Sequence, residues 1–208
     1  MKLLLMLLFT FGLSTACLAE VTIQVNDQAG QPLEDAVVEL ISSQPGSGKA
    51  VHAEVRQQDL TFVPFVSAVV RGTKVEFPNM DKTRHHVYSF SPAKEFELKL
   101  YVGKPEAPVL FDKAGIVALG CNIHDYMQAY IYVGTSPHLA VTGKNGLVTL
   151  AVPAGEYQLV LWHPWQNADW QPQKVTLSAG QIYQSSLAIT HQQKPQKPKK
   201  GFGAYTGS

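Results

Sequence analysis

From Glu20 to Thr190 apolar residues recur at every second position in short runs, and no stretch keeps the spacing of a buried helix face. The runs are rich in valine, tyrosine and phenylalanine, which suit a pleated, half-buried surface. Glycine and proline turns separate them. Val21 to Val25 stops at Asp27-Gln28-Ala29-Gly30, and Ala36 to Ile41 follows. Lys144-Asn145-Gly146 is a hairpin signal, because asparagine and glycine accept the positive φ of a tight turn. Val148, Leu150 and Val152 alternate after it, and Pro153-Ala154-Gly155 turns the chain into Tyr157 to Trp162. The pattern predicts an all-β protein built as a sandwich.

Two segments fall outside that pattern. Residues 1–19 read as an export signal: Lys2, a short apolar run from Leu3 to Leu13, then Cys17-Leu18-Ala19 before a cut ahead of Glu20. The run is too short for a membrane span, and no later segment is apolar enough for one. A lipoprotein acylated on Cys17 is the rival reading, weakened by Ser14 where such signals carry leucine. Both readings take the protein out of the cytoplasm, and the expected location is the periplasm. Cleavage leaves about 190 residues, room for one large or two small domains.

At the other end, residues 191–208 carry Lys194, Lys197, Lys199 and Lys200, no acid, and many prolines, glycines and glutamines. That composition cannot build a core and predicts a disordered basic tail. The formal charge of the whole chain is only +1, so the folded body is mildly acidic. No basic patch is interleaved with stacking aromatics, which argues against nucleic-acid binding.

Loss of the signal removes Cys17 and leaves Cys121 as the one thiol, in Gly120-Cys121-Asn122-Ile123-His124-Asp125-Tyr126-Met127. A lone thiol in an oxidising compartment has no disulfide partner and is open to oxidation. His124 and Met127, each three residues further on, suggest a metal instead. Thiolate, imidazole and thioether are soft donors that favour copper over magnesium, calcium or manganese. Bland readings stand beside this one. Met127 fits a core position as well as an axial ligand. A Cys–His nucleophile and base would use the same two residues, but this spacing on a loop gives it little support. Asp125 reads as a solvated carboxylate and Asp81 to Arg84 as a charged turn. Trp162 and Trp165 read as aromatics packed on the sandwich, and His52, His138, His163 and His191 lack partners in ligand spacing.

Two stretches resemble known families. Ile23 to Leu40, with Asp27-Gln28-Ala29-Gly30 and Ala36-Val37-Val38-Glu39-Leu40, and the later Thr142 to Leu161, with Leu150-Ala151-Val152-Pro153-Ala154-Gly155-Glu156-Tyr157, resemble two halves of a transthyretin-like, carboxypeptidase-regulatory-like module. The resemblance implies a discontinuous sandwich from residues 20–49 and 137–190, interrupted by residues 50–136. Three consecutive strand sets in one enlarged sandwich are the alternative. Between them, Phe62-Val63-Pro64, the turn at Gly72, Val75-Glu76-Phe77-Pro78-Asn79 and His85-His86-Val87 look like the first half of a cupredoxin. Phe111-Asp112-Lys113-Ala114-Gly115 and the Cys121 to Met127 loop look like its second half. The match spans roughly residues 58–133 and is closest to periplasmic cupredoxin-like proteins of the methylamine-utilisation type, in which His-His-Val-Tyr-Ser-Phe-Ser and Cys-Asn-Ile-His-Asp recur.

The cupredoxin resemblance implies a Greek-key β-barrel holding one copper ion that cycles between Cu(I) and Cu(II). Its implied ligands are His85, Cys121, His124 and Met127. Neighbouring residues on a strand face opposite sides, so His85 and His86 compete for one ligand position. Aligned with the family's His-Asn-Val, His85 is the ligand, and His86 takes the place of the asparagine that ties the two ligand loops together. The loop to Met127 is shorter than in plastocyanin, with two residues between His124 and Met127 where plastocyanin has four, which leaves open a blue, green or red site. The implied function is a non-enzymatic, one-electron carrier serving periplasmic or membrane-bound redox proteins. His124, flanked by Ile123 and Tyr126, would be its electron port. The alternatives are a copper-binding or trafficking protein and an extracytoplasmic scaffold with a structural or sensory metal. No further histidine-rich cluster supports a multicopper oxidase or nitrite reductase.

Overall fold

The computed structural model describes residues 18–42 and 52–196, and every regular element among them is a strand. Residues 1–17 of the expected signal, the stretch 43–51 and the tail from 197 onward lie outside the described residues. In chain order the strands are β1 (Leu18–Asn26) and β2 (Val37–Ser42), then β3 (Ala53–Glu54), β4 (Arg56–Gln58), β5 (Thr61–Val63), β6 (Val66–Val70) and β7 (Thr73–Glu76). They continue with β8 (His85–Ser91), β9 (Lys94–Tyr101), β10 (Val109–Phe111), β11 (Gly115–Gly120) and β12 (Gln128–Gly134). The last are β13 (Leu139–Val141), β14 (Leu147–Pro153), β15 (Gly155–Trp162), β16 (Gln173–Leu177) and β17 (Ile182–Ser186). Among the described residues no helix is long and apolar enough to cross a membrane.

The strands fall into two groups, each with its own core. In the first, sheet β14-β1-β17 and sheet β13-β2-β15-β16 draw on the two ends of the chain. Alternation decides which side chains meet: Val21, Ile23 and Val25 of β1 and Val148, Leu150 and Val152 of β14 bury one face each. They share a core with Leu40, Leu159, Leu161 and Leu177 from the other sheet. Asn145-Gly146 makes the expected turn. Gly146 has φ +69°, and a Cβ there would lie 2.5 Å from the Val25 carbonyl oxygen.

The second group takes the middle of the chain. Its larger sheet runs β6-β12-β11-β8-β9, with β6 parallel to β12, and its smaller one runs β10-β7-β3. Phe77 and Phe111 pack with Val87, Val117, Leu119 and Ile131 into a separate core that also holds Cys121 and Met127.

A seam joins the groups. Trp162 packs against Tyr130 and Tyr132, and Trp165 packs against Phe65. These two tryptophans therefore serve the seam as well as their own sandwich. Residues 191–196 form no strand, yet Lys194 is held by Glu34 at 2.9 Å and Asp35 at 2.6 Å. The start of the expected tail is thus anchored by ion pairs that its lysine-rich composition did not reveal.

Candidate metal centre

The centre lies at one end of the larger sheet of the middle group, where β8 begins and β11 ends. His85 opens β8 and pairs across to Tyr101 of β9, and a bulge between His85 and Val87 shifts the register. His85 is fully buried. β11 ends at Gly120 beside Tyr88 of β8, so Cys121 leaves the sheet next to the start of that strand. The chain then turns, closed by a 2.8 Å hydrogen bond from the Met127 amide to the His124 carbonyl, and enters β12. A Cβ at Gly120 would meet the Tyr88 ring at 2.8 Å, so a larger residue there would push that ring aside.

Those turns bring three donors together. One ligand atom each from His85, Cys121 and His124 lies within 4.8 Å of the other two, the one such cluster of three or more His, Cys, Asp or Glu among the described residues. Cys121 Sγ is 3.9 Å from His124 Nδ1, and the imidazoles of His85 and His124 stand 5.0 Å apart at 61°. Donors at about 2.0–2.3 Å from one ion lie about 3.5–4 Å apart in a trigonal plane, so the sulfur–nitrogen spacing fits a shared ion. Cys121 is buried and His124 half-buried, which leaves one edge of the cluster toward solvent.

The donor chemistry fits a metal on a second ground. His85 Nδ1 is buried and has no hydrogen-bond partner, while Nε2 lies 2.9 Å from Asp81 Oδ2. A buried polar atom left unpaired costs about 1–3 kcal/mol, so an orphan nitrogen on an imidazole that lies beside a thiol and a second imidazole is available to a ligand; His86 Nδ1, on the other face, is buried and unpaired as well. Burial pushes the Asp81 carboxyl up, but the Leu60 amide, the His85 imidazole and the Asp59 amide outweigh it and hold it below its ordinary value. An ionised carboxylate can only accept, so Nε2 is the donor of this pair, and the neutral ring carries its lone pair on Nδ1.

The charged turn at Asp81 is therefore part of the centre. Asp81 Oδ1 accepts from the Asp59 amide and Oδ2 from the Leu60 amide, each at 2.9 Å. Both donors have left-handed backbones, with φ of 55° and 60°. Asn79 secures the same turn: its Oδ1 accepts from the Asp81 amide at 2.9 Å, and its Nδ2 donates to the Thr83 and Tyr101 carbonyls. The sequence showed Asp81 only as part of a charged turn, because the amides that hold its carboxylate come from 21 and 22 positions earlier.

His86 lies on the other face. Its ring stacks in a row with Tyr88 and Phe90, at centroid distances of 5.4 and 5.2 Å, and its Nε2 lies 2.8 Å from Glu97 Oε1. The bond expected to tie the ligand loops together is thus made to β9 instead, while Asn79 and Asp81 secure the turn that leads into His85. Met127 is buried in the same core cluster as Cys121, three residues past His124. Around the open edge, Ile123 is exposed and the Tyr126 ring lies 5.6 Å from that of His124. Burial, then the proximity of Cys121, raise the Tyr126 hydroxyl, and burial pushes Tyr101 up to about 12, so both stay protonated.

The other histidines stand apart from this cluster. His138 packs against Tyr157, His163 against Trp165, and His191 lies 3.0 Å from Asp27.

No protein-family profile and no curated protein sequence matches the chain. Among solved structures it is similar to a copper-containing nitrite reductase from Thermus scotoductus SA-01, at 22% identity and TM-score 0.38 over 46% of this chain. The match spans only 25% of that reductase. A purple cupredoxin from Nitrosopumilus maritimus matches at 17% identity and TM-score 0.36, over 39% of this chain and 99% of its own. A pseudoazurin from Sinorhizobium matches at 21% identity and TM-score 0.33, over 41% of this chain and 76% of its own. Each likeness covers less than half of the chain, and none adds to what the donor geometry establishes.

Proposed function

We propose that the chain is a periplasmic, mononuclear copper protein of the cupredoxin type that carries one electron and makes no bond in a substrate. The observation that carries this reading is the trio of His85, Cys121 and His124 with a bare, buried nitrogen on His85. Two imidazoles and a thiolate are the donor set of a one-electron copper site, with a distant thioether as axial ligand. Met127, buried in the same core cluster as Cys121, would supply that thioether. Copper supplies the Cu(II)/Cu(I) couple: one electron arrives from a reduced partner protein and leaves to an oxidised one.

The chain's own residues hold the donors in place. The ends of β8 and β11 fix His85 and Cys121, so little rearrangement accompanies a change of charge. His124, half-buried beside exposed Ile123, offers the path to a partner, and a small contact there suits a transient encounter. Residues 20–49 and 137–190 form a sandwich that carries the copper-binding segment 50–136 as an insertion, a division that the two separate cores support.

The test is the visible spectrum of the purified, copper-loaded mature protein through a redox cycle. A thiolate-to-copper band that disappears on reduction and returns on reoxidation is expected. Copper bound without that band, or a band that does not return, overturns the carrier role. Rapid loss of the ion to a competing chelator assigns the metal as cargo.

A further inference from the structure

We propose that Asp81 is a positioning residue of this centre: its carboxylate sets the orientation of His85 and, through its negative charge, favours the divalent over the monovalent state of a bound copper ion. The inference rests on the copper reading above and deepens it.

The geometry has two parts. Asp81 Oδ2 stands 2.9 Å from His85 Nε2, and among the described residues nothing else bonds the ring nitrogens, since Nδ1 has no partner there. The fully buried ring is thus held by a single polar contact, which places the proton of the neutral ring on Nε2 and leaves Nδ1 as the nitrogen free for a metal shared with Cys121 and His124. The carboxylate is itself held from three sides. The Asp59 and Leu60 amides bond its two oxygens, and Asn79 fixes its backbone. A side chain so restrained loses little freedom when it orients the imidazole, which is what a positioning group requires.

The charge is the second part. A backbone carbonyl at the same place would select the same tautomer. A carboxylate adds a full negative charge one imidazole ring away from the ion. The Asp81 side chain is only 16% exposed, so solvent screens that charge poorly. Electrostatics alone then stabilises the higher charge state of the metal. Purely mechanical support of the ring would stabilise both states alike.

That difference makes the test. Asp81→Asn keeps the shape and an oxygen that can accept from Nε2 but removes the charge. The Cu(II) affinity is expected to fall about tenfold while the Cu(I) affinity holds, in line with the loss of an outer-shell partner. For a one-electron couple that ratio is a rise in reduction potential of about 59 mV. If both affinities fall together, or neither changes, the potential stays where it was and the proposed role of the charge is overturned.

In that variant the carboxamide nitrogen replaces Oδ1 opposite the Asp59 amide, whose φ is 55°, so the substitution is repeated in an Asp59→Gly background, where glycine adopts that backbone unaided. The same rise in potential is expected there, and its absence overturns the proposal. A copper-loaded wild-type chain without a thiolate band would instead overturn the copper reading. A wild-type band with an unmoved potential in Asp81→Asn removes only the role of Asp81.

Discussion

Tyr132 donates its phenolic hydroxyl to Glu39 Oε2 at 2.6 Å, and the two residues belong to different groups of strands. Glu39 Oε1 accepts from the Thr135 and Ser136 amides at 2.6 and 2.7 Å, so one carboxylate gathers the chain where it passes from β12 toward β13. Gly134 makes room, since a Cβ there would sit 2.9 Å from the same oxygen. Burial and the adjoining carboxylate push the Tyr132 hydroxyl far up, which keeps it a donor.

Removing that carboxylate should loosen the seam. Glu39 is buried, and Glu39→Ala leaves several donors without a partner, for a loss of about 3–5 kcal/mol. Glu39→Gln keeps an acceptor oxygen and should lose less. Urea unfolding, followed by tryptophan fluorescence and by far-UV circular dichroism, measures both. Coincident transitions in the wild type and separated ones in Glu39→Ala would show that the seam couples the two cores.

Ligand substitutions separate the adjacent histidines. His85→Ala and Cys121→Ser should abolish the thiolate-to-copper band. His86→Ala should keep it, because His86 sits on the opposite face against Tyr88 and Glu97. Met127→Leu fills a similar volume without a sulfur and should leave the band while moving the potential. Absorption titration with copper reads all four, and a band lost in His86→Ala but kept in His85→Ala reverses the ligand assignment.

Alternation and turn chemistry carried much of this fold. Val148, Leu150 and Val152 could be placed on one face, and Asn145-Gly146 at a turn, because both signals are local. The ligand loop was legible for the same reason: Cys121, His124 and Met127 lie within seven positions. Glu39 was not. In Ala36 to Ile41 it resembles a solvent-facing residue of a half-buried strand, yet Val37, Val38, Glu39 and Leu40 are all buried. The face it occupies is covered by the other group of strands, and no local pattern records that contact. Asp81 was hidden likewise, because its backbone donors belong to the β4–β5 connection, more than 20 residues earlier.

The Gly146 turn can be tested directly. Alanine there would need φ of +69° and would bring its Cβ against the Val25 carbonyl and the Leu33 amide, both backbone and unable to yield. Gly146→Ala should therefore cost about 2 kcal/mol or more, beyond the usual glycine-to-alanine effect. Thermal unfolding of apoprotein checks this. An unchanged melting temperature would mean that the turn adopts another shape.

Acid should weaken the end-segment sandwich through His163. The ring is 2% exposed, its Nδ1 accepts from the Trp165 amide, and burial lowers its pKa from 6.5 to about 4, with Lys194 and His191 adding to the effect. The unfolded chain then binds a proton that the folded chain refuses. The contribution is complete above pH 6.5, shrinks as pH falls through that window, and is gone below about 4. Its size is at most about 3 kcal/mol, from a shift of about 2.5 pH units at 1.36 kcal/mol each. Asp35, whose carboxyl burial pushes up, adds its own pH dependence, so the comparison that isolates His163 is a difference between two proteins. Urea unfolding of wild type and His163→Gln at pH 7 and at pH 4.5 provides it. The wild type should lose more stability between the two pH values than the variant, and equal losses would remove His163 as the cause.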